Sequence, residues 1–171
     1  GCAFEFCEGI ESVTLHEGLL SIGYNAFSDC IKLKSVTLPS SLATIEEEAF
    51  SDCKALQSVT LNNKIKAIAE ATFRNCTNLT EITIPNNVTS IGELAFSDCK
   101  KLTTVNLPEG LKQIDAEAFK RCKALESLEI PSTVTKLGNG VFMESGLKRC
   151  KLPDNIKTVP DEMFYLCEKL E

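Results

Sequence analysis

Apolar residues recur along the chain at one dominant spacing. Phenylalanine stands at positions 4, 27, 50, 73, 96, 119 and 142, always 23 residues apart, and Phe164 follows 22 residues later. Cysteine comes three residues behind at 7, 30, 53, 76, 99 and 122, gives way to Ser145, and resumes at Cys167. The pentapeptide AFSDC itself occurs at 26–30, 49–53 and 95–99. In the stretch AFSDCKKLTTVNLPEGLKQIDAE, residues 95–117, the apolar positions are Ala95, Phe96, Cys99, Leu102, Val105, Leu107, Leu111 and Ile114. Leu102–Leu107 reads L-x-x-V-x-L, and the alternation about Val105 predicts a short strand with one buried face. Proline follows at 39, 85, 108, 131 and 153, with Asn62 and His16 in its place in two units. Lacking an N–H, proline stops the ladder there.

The stretch leading through AFSDC predicts a helical turn or two. Acids precede it at Glu47, Glu48, Glu70, Glu93, Glu117, Asp161 and Glu162, and lysines follow it at Lys54, Lys100, Lys101, Lys123 and Lys169. Acid at a helix start and base at its end suit the helix dipole. One such unit cannot bury its apolar side chains alone, whereas stacked units share a continuous core. The chain therefore divides into seven repeats, 3–25, 26–48, 49–71, 72–94, 95–117, 118–140 and 141–162, and a partial eighth, 163–171. It forms one solenoid whose strands stack in parallel at ~4.8 Å. Neither end carries a polar capping unit, and this predicts a piece of a longer array.

Composition narrows the function classes. A net charge of −6 argues against nucleic acid as a partner, because phosphate binding needs a basic surface. No run of eighteen apolar residues is present, so no helical membrane insertion is expected. Asn75-Cys-Thr, Asn78-Leu-Thr and Asn87-Val-Thr fit the glycosylation sequon, which matters only for a secreted eukaryotic chain.

L-x-x-V-x-L is the strand signature of a leucine-rich repeat. The longer pattern L-x-x-V-x-L-P-x-x-L-x-x-I, four further residues, then A-F-x-x-C resembles the BspA-like class of these repeats across essentially the whole chain. The unit 141–162 departs from it with FMESGL and with Cys150 in the place of Val105. The resemblance implies an α/β leucine-rich-repeat solenoid, a curved horseshoe segment with a parallel concave β-sheet and short helical turns on the convex side. It also implies a cell-surface or secreted location and a role in adhesion to host matrix proteins or other cells. The class shares no catalytic residues to carry over.

The cysteines form one column, one per coil. A separation of ~4.8 Å lies inside the range for a disulfide, but side chains in a parallel ladder point the same way instead of at each other. A buried ladder of free thiols follows, with cysteine packing as a small hydrophobe. Zinc needs four converging ligands, and no C-x-x-C is present. Catalysis by cysteine needs a base, and His16 is the only histidine, alone in the turn after a strand. No enzyme, cofactor or metal is expected. Cys2 lies outside the column and is the candidate reactive thiol. In AFSDC, alanine and phenylalanine anchor the convex side, while serine and aspartate are expected to face solvent or to bond nearby backbone.

Function is then expected on the exposed concave face. Its rows run Ser12 and Thr14, Ser35 and Thr37, Ser58 and Thr60, Glu81 and Thr83, Thr104 and Asn106, Ser127 and Glu129, Arg149 and Lys151. Glu11, Lys34, Gln57, Thr80, Thr103, Glu126 and Lys148 lie one position earlier. The candidate binding residues are Glu81, Thr83, Thr104, Asn106, Glu126, Glu129, Lys148, Arg149 and Lys151. The acids Glu126 and Glu129 lie beside the bases of the next coil, favouring cross-strand charge pairs over a binding patch. Seven strands present roughly 400 Å², against about 800 Å² per partner in a standard interface. The expected function is a non-enzymatic protein-binding module in an adhesin, monomeric, with a matrix protein as ligand. The alternative is a spacer array that presents another domain.

Overall fold

A computed structural model describes residues 1–171. Thirteen short strands follow one another: β1 (Ser12–Thr14), β2 (Ser21–Ile22), β3 (Ser35–Thr37), β4 (Thr44–Ile45), β5 (Ser58–Val59), β6 (Ala67–Ile68), β7 (Glu81–Thr83), β8 (Ser90–Ile91), β9 (Thr104–Asn106), β10 (Gln113–Ile114), β11 (Ser127–Glu129), β12 (Lys136–Leu137) and β13 (Arg149–Lys151). All pairing is parallel and between equivalent positions of successive coils, as in Val13 with Val36, Ile82 with Val105 and Leu128 with Cys150. The odd-numbered strands are those that the L-x-x-V-x-L pattern predicts. Their ladder runs in three hydrogen-bonded pieces, β1-β3-β5, β7-β9 and β11-β13. The even-numbered strands form a second ladder, β2-β4 and β6-β8-β10-β12. The sequence pattern did not disclose this one, because each strand has only two residues, one exposed or half-buried and one buried.

The expected helical turns are absent. Two residues per coil sit in the left-handed region, four apart: Asn25 and Asp29 (φ 53° and 57°), Glu48 and Asp52 (54° and 58°), Leu94 and Asp98 (56° and 60°). A right-handed helix cannot run through such positions. Backbone N–H groups instead alternate between two destinations. Ala26, Ser28 and Cys30 donate three residues back, to the carbonyls of Gly23, Asn25 and Phe27, at 3.1–3.2 Å. Asn25, Phe27 and Asp29 donate to Glu47, Ala49 and Ser51 of the next coil at 2.8–3.2 Å. The wall that carries AFSDC is a stack of tight turns stitched coil to coil. Without a helix there is no dipole for the charged stripes to serve. Charges pair between coils instead: Arg74 with Glu48 at 3.4 Å and Asp52 at 3.9 Å, Arg121 with Glu144 at 3.1 Å and Asp98 at 3.9 Å. Exposed pairs of this kind contribute about 0–1 kcal/mol.

Forty buried residues make one continuous core. Along it eight phenylalanine rings, Phe4 to Phe164, stack with centroids 5.1–6.0 Å apart and planes within 17° of parallel. Beside it runs the cysteine column. All nine cysteines are free thiols. The thiols do more than fill space: Cys53 Sγ donates to the Phe27 carbonyl oxygen at 3.1 Å, and Cys76, Cys99 and Cys122 repeat the bond to Phe50, Phe73 and Phe96 at 3.2 Å. The serine of AFSDC was expected to face solvent or to bond backbone. Ser28, Ser51 and Ser97 are buried, and each Oγ donates to its neighbouring aspartate carboxylate at 3.3–3.4 Å. In the seventh unit the lost residue is absorbed at Gly146, whose N–H donates to the Cys122 carbonyl at 3.1 Å. A Cβ there would collide with the Lys123 carbonyl oxygen.

Candidate functional site

The residues flanking each buried or half-buried centre of the odd-numbered ladder, from Ser12 and Thr14 to Arg149 and Lys151, are all exposed. The sheet-bearing face is therefore available along its whole length. No aromatic side chain stands in these strands.

The candidate residues fall into two groups on separate ladder pieces. On β7 and β9, Glu81 lies opposite Thr104 and Thr83 opposite Asn106. The Asn106 amide donates to Thr83 Oγ1 at 3.2 Å, and Thr103 Oγ1 donates to the Thr80 carbonyl at 3.1 Å. These contacts tie the coils together and leave the outer faces of the side chains to solvent. Just before β11 and β13, Lys148 Nζ bonds Glu126 Oε2 at 2.7 Å. The Lys148 ammonium, donating a hydrogen bond and adding its charge, holds the Glu126 carboxyl below the usual carboxylate range. Glu129 and Lys151 share a ladder position without forming an ion pair. Arg149, 85 % exposed, reaches 4.0 Å from Glu171 and not Glu129. The pairing expected for this cluster is present between Glu126 and Lys148 only. Glu129 and Lys151 form no ion pair, and with Arg149 they line a depression of about 520 Å³ to which Leu128, Ile130, Leu152 and Pro153 also contribute.

Two other depressions differ in place. One of about 360 Å³ lies at the break between β5 and β7, beside Thr60, Glu81 and Thr83. Another, about 640 Å³, lies on the second ladder between Tyr24, Glu46 and Lys66, beside the small side chains of Ala43, Ala67 and Ala69. It is distant in sequence from the candidate cluster, and the sequence reading did not single it out. The signal that could have found it is A-I-A at 67–69, against T-I-E at 44–46 and Q-I-D at 113–115.

His16 is exposed in the turn after β1. Burial pushes the Cys30 and Cys150 thiols up to about 11, and raises those of Cys53, Cys76, Cys99 and Cys122 as well. A thiol so raised is protonated near neutrality and is a poor nucleophile. No group of three His, Cys, Asp or Glu side chains is placed to hold a metal ion. No helix is long and apolar enough to cross a membrane.

Comparison with known proteins accords with this architecture. A leucine-rich repeat protein of T. pallidum is 32% identical, with a TM-score of 0.82 over 94% of this chain and 77% of its own. A leucine-rich repeat protein of Eubacterium ventriosum is 26% identical, with a TM-score of 0.70 over 85% of this chain and 45% of its own. The pneumococcal vaccine antigen PcpA, 21% identical, shares the fold with a TM-score of 0.62 over 95% of this chain and 56% of its own. No curated protein matches the chain. The model of the BspA type leucine-rich repeat region matches residues 2–125 and 95–171 in six copies, and the chain belongs to that family.

Proposed function

We propose that this chain is a non-enzymatic protein-binding module of a cell-surface or secreted adhesin, with an extracellular matrix protein as its ligand. The observation that carries this reading is the odd-numbered ladder. Every coil presents a pair of exposed side chains from a regular strand, and none of them is needed to build the core. Side chains on a rigid sheet are held in place before a partner arrives, which lowers the cost of binding. Glu129, Arg149 and Lys151, charged and exposed around that depression, form the most distinctive part of that face. Placement outside the cell rests on the family, and a fold shared with a vaccine antigen accords with it.

The face is small, polar and without aromatic anchors, so a single chain binds weakly. Hot spots in tight interfaces are enriched in Trp, Tyr and Arg, and Arg149 alone represents them here. Affinity in the micromolar range, about −8 kcal/mol, is the expectation. The same hydroxylic, aromatic-free surface favours the second reading, a spacer that presents another domain. The test is binding of the monomeric, folded chain to immobilised fibronectin, fibrinogen and other matrix proteins by interferometry. Saturable binding to one of them supports the adhesive reading. A folded chain that binds none of the panel supports the spacer.

A further inference from the structure

The densest set of nucleophilic side chains lies in the core, apart from the face described above. Cys30, Cys53, Cys76, Cys99 and Cys122 are 0 % exposed and stand one per coil. Each thiol donates to a phenylalanine carbonyl of the coil before it, at 3.1–3.2 Å. The two walls of each thiol slot therefore belong to different coils. Opening one coil against its neighbour breaks the bond and uncovers the sulfur together.

We propose that the thiol column is a latent S-thiolation site that the coil stack itself closes. A low-molecular-weight disulfide of the glutathione class modifies an inner column cysteine only while a coil is open, and the modified coil does not re-dock. In the open coil the thiol gives its proton to solvent. The thiolate attacks one sulfur of the disulfide, a protein–S–S–R bond forms, and the S–S bond of the reagent breaks. The departing thiolate takes up a proton, so the disulfide is the sole oxidant consumed.

Two features of the slot stop re-docking. It is fully enclosed, and close-packed interiors accept little added volume. The adduct also has no S–H left to donate to the phenylalanine carbonyl. Ser145 indicates what the slot tolerates, since it occupies the column position with a small hydroxyl 3.4 Å from Cys167 Sγ. Cys2, exposed and outside the column, provides an internal contrast. A surface thiol is modified without consequence for the stack, whereas an inner one traps the coil open until a reductant removes the adduct.

The test incubates the intact chain with glutathione disulfide at neutral pH and maps each cysteine by peptide mass spectrometry over time. Modification of Cys53, Cys76, Cys99 and Cys122 is expected to be slower than that of Cys2 by about 100-fold or more. Urea at the unfolding midpoint brings the inner rates to within about 10-fold of Cys2. After removal of urea, chain modified at an inner position lacks the native circular dichroism and regains it with dithiothreitol. Inner modification of the folded chain at the rate of Cys2 overturns the proposal, as does refolding with the adduct in place. Cys76→Ser keeps a donor in the slot, blocks modification there and leaves the other inner positions as protected as before. Should that variant fail to fold, the site map and refolding of the unaltered chain decide alone.

Discussion

Replacing Phe96 by alanine tests whether the ring column holds the coils together. Phe96 is 0 % exposed and lies between Phe73 and Phe119, with centroids 5.6 and 5.4 Å away and planes tilted by 12° and 6°. Deleting a buried ring costs about 3–5 kcal/mol through lost transfer energy and the cavity left behind. Two stacking partners put Phe96→Ala at the upper end of that range, since each aromatic pair adds about 0.5–1.5 kcal/mol. Phe4 is 41 % exposed and stacks on Phe27 alone, so Phe4→Ala costs about half as much or less. Urea unfolding followed by far-ultraviolet circular dichroism measures both. In a stack where each coil touches only its neighbours, a break at the middle also weakens coupling between the two halves. Phe96→Ala is therefore expected to broaden the transition or split it, while Phe4→Ala lowers the midpoint and leaves the slope unchanged. Equal losses for the two variants, or a loss under about 1.5 kcal/mol at Phe96, would mean that the ring column does not hold the coils together.

Alkaline pH acts on the thiol column. Burial raises the folded-state values of Cys53, Cys76, Cys99 and Cys122 above the ordinary 9.0, so their contribution is full below that value and is lost as pH rises beyond it. Stability from urea melts is expected to fall above about pH 9 by up to about 1.4 kcal/mol per pH unit for each thiol, and Cys76→Ser should remove one thiol's share of the slope. A slope unchanged in that variant contradicts the assignment. Gly146→Ala forces a methyl onto the Lys123 carbonyl and is expected to cost about 1–3 kcal/mol, against less than about 0.5 for Gly9→Ala, where a Cβ meets nothing within 4 Å. Thermal melts of the two variants compare them directly. The exposed Glu126–Lys148 pair helps only while Glu126 is ionised, so its small contribution is present above the unfolded carboxylate value and lost as pH falls through the lowered folded one. A double-mutant cycle at low and high salt should find a coupling that salt removes.

The register of the stack was legible because a strict spacing of Phe and Cys leaves one way to superpose the coils. The odd-numbered strands were legible through the alternation about Val105 and its equivalents. The helical reading failed for a specific reason. Ala95, Phe96, Cys99 and Leu102 have the spacing of a helix face, and flanking acids and lysines reinforce it. What decides against a helix is long-range: Phe96 N–H finds the carbonyl of Ala118 in the next coil at 2.9 Å. A local trace of this was present in Asp29, Asp52, Asn75 and Asp98, since Asp and Asn are the side-chain-bearing residues that best tolerate the left-handed region. The second ladder left almost no trace, because a two-residue strand shows only one alternation. At the candidate face the sequence placed the exposed rows. It did not tell which charges pair: Lys148 bonds Glu126 opposite it in the register, whereas Glu129 and Lys151, equally opposed, do not pair, and Arg149 reaches Glu171.

The central claim is that the odd-numbered face binds a protein partner. The most direct measurement compares matrix-protein binding by the unaltered chain, by Glu129→Lys/Arg149→Glu, and by a control pair on other surfaces, Glu93→Lys/Lys100→Glu, all shown to be folded. The face variant is expected to lose affinity by about tenfold or more, roughly 1.4 kcal/mol, while the control binds as the unaltered chain does. Equal binding by all three chains, or a loss confined to the control, would contradict it.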